Sequence, residues 1–191
     1  MSKISTYDNA SPVALSDRLI GTSVGATPAN STKNFLVSDI LSLFESNLSN
    51  AYVLMTLGSA TNAQATTITT INTPVQVDLN SLAVATEAQG FSVANDGTIT
   101  CTHTQNIVGK ISVSISHLSP TGNDDFKFLL KKDSTVIASS GIVDHSGNNI
   151  TSVNLNYITS ISNGTTFQLW VENISGTHDV TVTNIQFSVH E

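Results

Sequence analysis

From Ala51 to Glu191 the apolar residues recur at every second position, and this period constrains the fold more than any other feature of the chain. Side chains on an extended backbone alternate between two faces, so spacing of two gathers the apolar set on one side of a strand. A helix would need spacings of three and four. The cleanest stretch places Ile111, Val113 and Ile115 against Ser112, Ser114 and Ser116. No helical window recurs in this part of the chain.

Other strands are predicted on the same ground. They are Tyr52 to Leu57, a Thr-rich run from Thr66 to Ile71, and a stretch after Pro74 in which Val75, Val77 and Leu79 alternate with Gln76 and Asp78. Phe91 and Val93 lead into Ala94-Asn95-Asp96-Gly97, whose Asp-Gly pair signals a hairpin, and Thr98 to His103 leaves it. Phe126, Phe128 and Leu130 share one parity, with Lys127, Leu129 and Lys131 on the other, so alternation exposes Leu129. Val136 to Ala138, Val153-Leu155-Tyr157 and Phe167-Leu169-Val171 follow, with Trp170 and Gln168 on the face opposite Phe167. In the last strand Val180 and Val182 keep one parity whereas Ile185, Phe187 and Val189 take the other, which predicts a bulge near Thr183-Asn184. Many short strands joined by Gly, Asn and Ser turns imply a mainly β chain, an antiparallel sandwich or jelly roll over residues 52–191.

Residues 1–50 differ in character. The first fourteen are polar and read as an arm; 21–34 hold glycines, Pro28 and a Ser/Thr/Asn run, and read as a turn or loop. Ser38 is a predicted N-cap, with Asp39 in the first turn where the helix dipole favours an anion. Ile40, Leu41, Leu43, Phe44 and Leu48 then form one apolar stripe. Helices below about 12 to 15 residues are marginal in water, so this stripe needs burial against this chain or another.

Only 11% of the 191 residues are charged, and Ser, Thr, Asn and Gly supply the polarity, which suits surfaces shared within an assembly. A formal charge of −7, with Arg18 the only arginine and Lys127, Lys131 and Lys132 the only basic cluster, argues against nucleic acid or an anionic membrane as partner. No run approaches the roughly 18 apolar residues of a membrane span, and the opening residues lack the apolar core of a signal peptide. Cys101 is single, so stability must come from packing or oligomerisation; it reads as a buried strand residue. There is no Gly-x-Ser-x-Gly, phosphate loop or His-Glu-x-x-His, and His103, His117, His145, His178 and His190 lack ligand spacing. Asn123-Asp124-Asp125 and Asp144 to Asn149 lack the closing acid of a calcium loop and read as solvated turns. No catalytic residue, cofactor or metal is expected.

Two resemblances add to this. Ser16-Asp17-Arg18-Leu19-Ile20-Gly21-Thr22, Thr32-Lys33-Asn34-Phe35 and Val37-Ser38-Asp39-Ile40 resemble the leading segments of structural proteins of tailed bacteriophages, where an apolar-Gly-Thr hairpin and a capped helix precede a fibre or decoration domain. Gly97-Thr98-Ile99-Thr100, Gly109 to Ser114, Phe128 to Asp133, Asn163 to Asn173 and Val180 to Val189 resemble the tumour-necrosis-factor-like jelly roll. The sequence departs from that pattern at Thr98 to Cys101, where the family has Gly-x-Tyr, and at Gly164-Thr165, where it has Gly-Asp. The second resemblance implies a homotrimer with aromatic and aliphatic faces packed around a three-fold axis. Together they lead to an expected non-enzymatic virion protein, assembled in the host cytoplasm. Residues 1–50 would anchor it to capsid, portal or tail proteins through Leu19, Ile20, Phe35, Ile40, Leu41 and Phe44, and the jelly roll of 52–191 would be displayed. Trp170 and Leu129 are candidate oligomer or glycan contacts, the glycan reading being the alternative: an adhesin that recognises a host-surface carbohydrate.

Overall fold

The computed structural model describes residues 18–23, 31–41, 50–57, 64–79, 83–119, 123–144 and 149–191. The chain divides into two compact units, Met1–Ser49 and Asn50–Glu191.

In the first unit, β1 (Arg18–Ser23) and β2 (Ser31–Leu36) pair antiparallel with Leu19 opposite Phe35 and Ile20 opposite Asn34. The predicted hairpin is therefore present, and its strands take up both ends of the stretch 21–34 that composition assigned to a loop. Residues 37–41 are helical. Ser38 thus lies inside the first turn instead of capping it, because β2 runs directly into the helix without an intervening residue. Ile40 is half-buried, whereas Leu41 is exposed. Leu43, Phe44 and Leu48 lie outside the described residues.

The second unit is a sandwich of two antiparallel sheets. Its strands are β3 (Tyr52–Leu57), β4 (Gln64–Thr66), β5 (Val75–Gln76), β6 (Ala83–Gln89), β7 (Phe91–Val93), β8 (Ile99–Cys101), β9 (Ile107–Leu118), β10 (Asp125–Lys132), β11 (Thr135–Ser139), β12 (Val143–Asp144), β13 (Thr151–Ile161), β14 (Thr166–Asn173) and β15 (Val180–His190). One sheet runs β11-β10-β14-β8-β7, with β12 on β10 and β5 on β14; the other runs β13-β9-β15-β3-β6, with β4 on β15. Sequence neighbours such as β9 and β10 sit in different sheets, so the chain crosses repeatedly between layers in the manner of a jelly roll.

Alternation decides which face each strand buries. In β9 the residues from Ile107 to His117 at odd positions point inward and are buried, with Ile111 and Ile115 at 0% exposure. Phe126, Phe128 and Leu130 of β10 meet Asn173, Val171 and Leu169 of β14 across the ladder and close the core from the other sheet. Phe167 and Phe187 are fully buried as well. The register slip in β15 falls between Val182 and Asn184, where one extra residue restores the inward parity of Ile185, Phe187 and Val189.

Tight turns fix the register. Gly97 has a φ of 81°, and a Cβ there would collide with Leu79, so only glycine completes the Asp-Gly turn between β7 and β8. Asp133 and Ser134 both adopt positive φ, 47° and 69°, in the two-residue turn from β10 to β11. The Asp133 carboxylate compensates for this strain by accepting the Thr166 amide at 2.8 Å.

Several expectations also fail in the second unit: the stretch after Pro74 is a strand only at Val75–Gln76, and the one leaving the Asp-Gly turn only at Ile99–Cys101. The Thr-rich run is a strand only to Thr66; beyond it, the Ile68 amide is satisfied by the Asp179 carboxylate at 2.9 Å instead of by a ladder. Leu129 is not exposed: it stands on the outer face of β10 yet retains only 4% of its surface, covered by its neighbours on that face. Asp124 is not in a solvated turn but buried, at 6% exposure.

Candidate interaction surfaces

The described residues hold no group of three or more His, Cys, Asp or Glu side chains able to share a metal ion. Cys101 is buried, and desolvation pushes its thiol above the ordinary range, which makes it a poor nucleophile. His117 is buried with its ring 4.5 Å from that of Phe128, a packing role. What the fold offers is surfaces.

Trp170 lies half-buried on the outer face of the seven-stranded sheet, with Leu129 beside it on β10 and Gln76 beside it on β5. Its indole N–H donates to Gln168 Oε1 at 3.2 Å, and the Lys131 ammonium sits 3.3 Å from the centre of its ring. Desolvation lowers the Lys131 pKa. Gln168 in turn donates to Gln76 and Thr98, and Gln76 donates to the Asp96 carbonyl at 3.2 Å. The tryptophan is thus locked into a ladder of satisfied amides, with a cation over one ring face. The two residues nominated from sequence, Trp170 and Leu129, do come together, as one small packed cluster.

The ladder ends at an open groove of about 340 Å³ lined by Thr66, Thr67, Gln76, Asp78 and Asp96 above the backbone of Val77 and Leu79. Burial would raise the Asp96 pKa, but hydrogen bonds from Thr98 and Gln76 outweigh it and hold the carboxyl below its usual value. The groove therefore presents an ionised carboxylate among hydroxyl and amide groups. Nothing in the sequence pattern marked it, because its residues come from three separated stretches.

The outer face of the six-stranded sheet is different. In its middle rows the outward positions on β9 are Ser112, Ser114 and Ser116 and on β13 Ser152, Asn154 and Asn156; Lys110 and Ile158 follow in the next row. β15 adds Asn184, Gln186 and Ser188 in register with the serines. Ser112 donates to Asn156 Oδ1 at 2.8 Å, and the Ser116 and Ser152 hydroxyls lie 3.1 Å apart. Over β9, β13 and β15 this face is mainly small uncharged polar groups, and Leu54 of β3 lines the same shallow depression as Ser112, Ser114, Asn154 and Ser188. Further apolar side chains stand at its border, where Val108 and Ile158 are 64% and 67% exposed.

Of the nominated anchor residues, Leu19, Ile20 and Phe35 lie in the β1-β2 hairpin and Ile40 and Leu41 in the helical turn, while Phe44 is outside the described residues.

No protein-family profile and no curated protein sequence matches this chain. Solved structures do. A TNF of S. frugiperda, Eiger, is similar with a TM-score of 0.51 at 9% identity, over 75% of this chain and 93% of that one. Murine APRIL, in a crystal structure at pH 5.0, is similar with a TM-score of 0.50 at 6% identity, over 75% of this chain and the whole of that one. At such identities the likeness speaks to architecture alone, and the architecture of this chain is a tumour-necrosis-factor-like jelly roll.

Proposed function

We propose that this chain is a non-enzymatic structural protein of a bacteriophage particle. Its first unit attaches it to a capsid, portal or tail protein, and its jelly roll is displayed as a homotrimer. The observation that supports the reading is the build of the chain: a hairpin and helical turn fall in a unit of their own, Met1–Ser49, which precedes a TNF-like jelly roll in the sequence, and it is the sequence of that first unit that resembles a phage leader. The low charge of the surface and the exposed apolar residues at the β13 border support self-assembly. Immunogold labelling of purified particles tests it: gold at a fixed position on the particle is expected, and a chain found only free in the lysate overturns the proposal.

The groove beside Trp170 favours a second reading, recognition of a host-surface glycan. Ionised Asp96, the Asp78 carboxylate, Gln76 and the threonine hydroxyls are groups that bind sugar hydroxyls. Lys131 occupies one face of the Trp170 ring, so the groove, more than the ring, would hold the sugar. Glycan-array binding that is lost in Asp96→Asn would support this reading; an array without signal for the wild type would remove it.

A further inference from the structure

We propose that the groove lined by Asp78 and Asp96 selects a sugar that carries a free amine, a 2-amino-2-deoxyhexose unit, over its neutral and acidic counterparts. The inference rests on the glycan reading above and adds the chemical class of the sugar.

Charge is the first argument. The groove takes its lining from three stretches, Thr66-Thr67, Gln76 to Leu79, and Asp96, and all of them lie between Lys33 and His103, a span with no lysine, arginine or histidine. The ionisable groups of this lining are two carboxylates. The Lys131 ammonium is engaged on the Trp170 ring. A site walled by one sign of charge raises the local concentration of ligands of the other sign, and the formal charge of −7 adds to this field. A uronic or sialic acid would bring a third carboxylate with no lining cation to meet it, so the groove turns such sugars away.

Hydrogen-bonding capacity is the second argument. Gln76 is occupied within the protein: its Nε2 donates to the Asp96 carbonyl at 3.2 Å and to Thr98 Oγ1 at 3.4 Å, and its Oε1 accepts from Gln168 at 3.4 Å. Thr66 Oγ1 accepts the Asp78 amide at 2.9 Å, and the Asp96 carboxylate is held by the Thr98 amide at 2.9 Å. These bonds fix the walls before any ligand arrives, which lowers the cost of binding. Each carboxylate has two oxygens and about four lone-pair sites, against one hydroxyl hydrogen on each of Thr66 and Thr67, so acceptors outnumber donors. The matching ligand is rich in donors. An ammonium supplies three N–H groups to one carboxylate in charge-assisted bonds, and neighbouring sugar hydroxyls supply further donors to the other. Acetylation of the amine removes the charge and all but one of its N–H groups. At about 340 Å³ the groove lies at the small end of ligand sites, which suits one or two sugar rings.

The test uses the full chain and the fluorescence of Trp170, the only tryptophan, whose indole is tied to the groove through Gln168 and Gln76. Chitosan oligosaccharides carry the free amine, chitin oligosaccharides the acetylated one, and glucuronate oligosaccharides the acid. All are titrated at about pH 6.5, where an amine of pKa about 8 is protonated. The amine form is expected to bind at least tenfold more tightly than the acetylated form, and the acid not at all. Asp96→Asn should weaken binding of the amine form at least tenfold. Asp78→Asn, at an exposed position, should do the same and guards against a folding defect in the first variant. Glu87→Gln, an equal change of charge on the exposed part of β6, is the control and should leave the affinity unchanged. Equal binding of the three sugars, or undiminished binding in both aspartate variants, overturns this proposal and leaves the glycan reading standing. A loss as large in Glu87→Gln, or a short lysine peptide bound as tightly as the amino sugar, would show charge alone at work and overturn it too. A wild type that binds no sugar overturns both.

Discussion

The carboxylate of Asp124 lies 2.9 Å from Nδ1 of His178, and this pair ties the loop before β10 to the loop before β15. Asn173 Nδ2 donates to the same oxygen, the His178 amide donates at 3.2 Å, and Asn173 Oδ1 in turn accepts the amides of Ser175 and Gly176. Two connections that have no ladder of their own are thereby satisfied by a single buried acid.

Burial by itself would raise the Asp124 pKa, but the hydrogen bonds from Asn173 and His178 and the attraction of His178 outweigh it, so the carboxyl titrates below its usual value. A depressed folded-state pKa means that the stabilisation is present in full above the unfolded value of about 3.9 and is lost as pH falls through the folded one. Asp124→Asn should therefore lower stability by about 1 to 3 kcal/mol at neutral pH, since donors are left without their anion. Denaturation midpoints of wild type and variant should converge in strong acid; a gap that stayed constant down to pH 2 would contradict the assignment.

Gly176 faces the same carboxylate so closely that a Cβ would stand 2.6 Å from Oδ2 and 2.7 Å from Oδ1. Gly176→Ala must push Asp124 off its donors. Its loss of stability should match that of Asp124→Asn within about 1 kcal/mol, and the two should not add when combined. Additive losses in the double variant would mean that the glycine acts elsewhere.

Phe128 and Lys127 are neighbours with opposite fates. Phe128 is fully buried between the sheets, whereas Lys127 pairs with Glu172 at 3.0 Å on the surface. Phe128→Ala should cost about 3 to 5 kcal/mol, as should Phe167→Ala, through lost burial and the cavity left behind. Lys127→Ala should cost under about 1 kcal/mol, the usual worth of a partly solvated ion pair. Urea titration separates these values easily; equal losses at Phe128 and Lys127 would invert the inward face of β10.

That inward face was legible in the sequence because alternation needs only local information. The two-sheet sandwich, the Asp-Gly turn at Gly97 and the slip at Thr183-Asn184 were read the same way. What escaped depends on neighbours distant in sequence. β6 reads Ala-Val-Ala-Thr-Glu-Ala-Gln and carries no inward apolar alternation, since its side chains are largely exposed and its place is set by pairing with β3. Leu129 sits at an outward parity yet is buried, because Trp170 and the residues around it cover it. Asp124 looked like part of a solvated turn because its partners, Asn173 and His178, lie about fifty residues away. The groove at Asp96 was invisible for the same reason, whereas the serine row of β9 was legible and only its neighbours on β13 and β15 were not.

Trp170 and Lys131 give a prediction of their own. Trp170→Ala removes the ring beneath the ammonium and uncovers Leu129, so it should cost more than Lys131→Ala, which removes chiefly a cation–π contact of about 0.5 to 1 kcal/mol. Thermal unfolding of the two variants measures the order. A larger loss for Lys131→Ala would show that the lysine, and not the ring, holds the cluster together.

The last prediction separates the two units. If the first unit carries attachment, a chain lacking residues 1–48 should keep the jelly roll's cooperative unfolding and no longer join particles, since among the described residues those of the core run from Ala51 onward and the second unit is compact by itself. A milder change sharpens this. Ile40 is half-buried in the helical turn, and Ile40→Asp puts a carboxylate where an apolar contact would form, which is far costlier in a closed interface than in water. Incorporation should fall at least tenfold while the unfolding midpoint of the jelly roll stays within a degree or so, because each 1.4 kcal/mol of lost contact is a tenfold loss of affinity. Particles that take up Ile40→Asp and the truncated chain as readily as the wild type would move the attachment surface to the jelly roll.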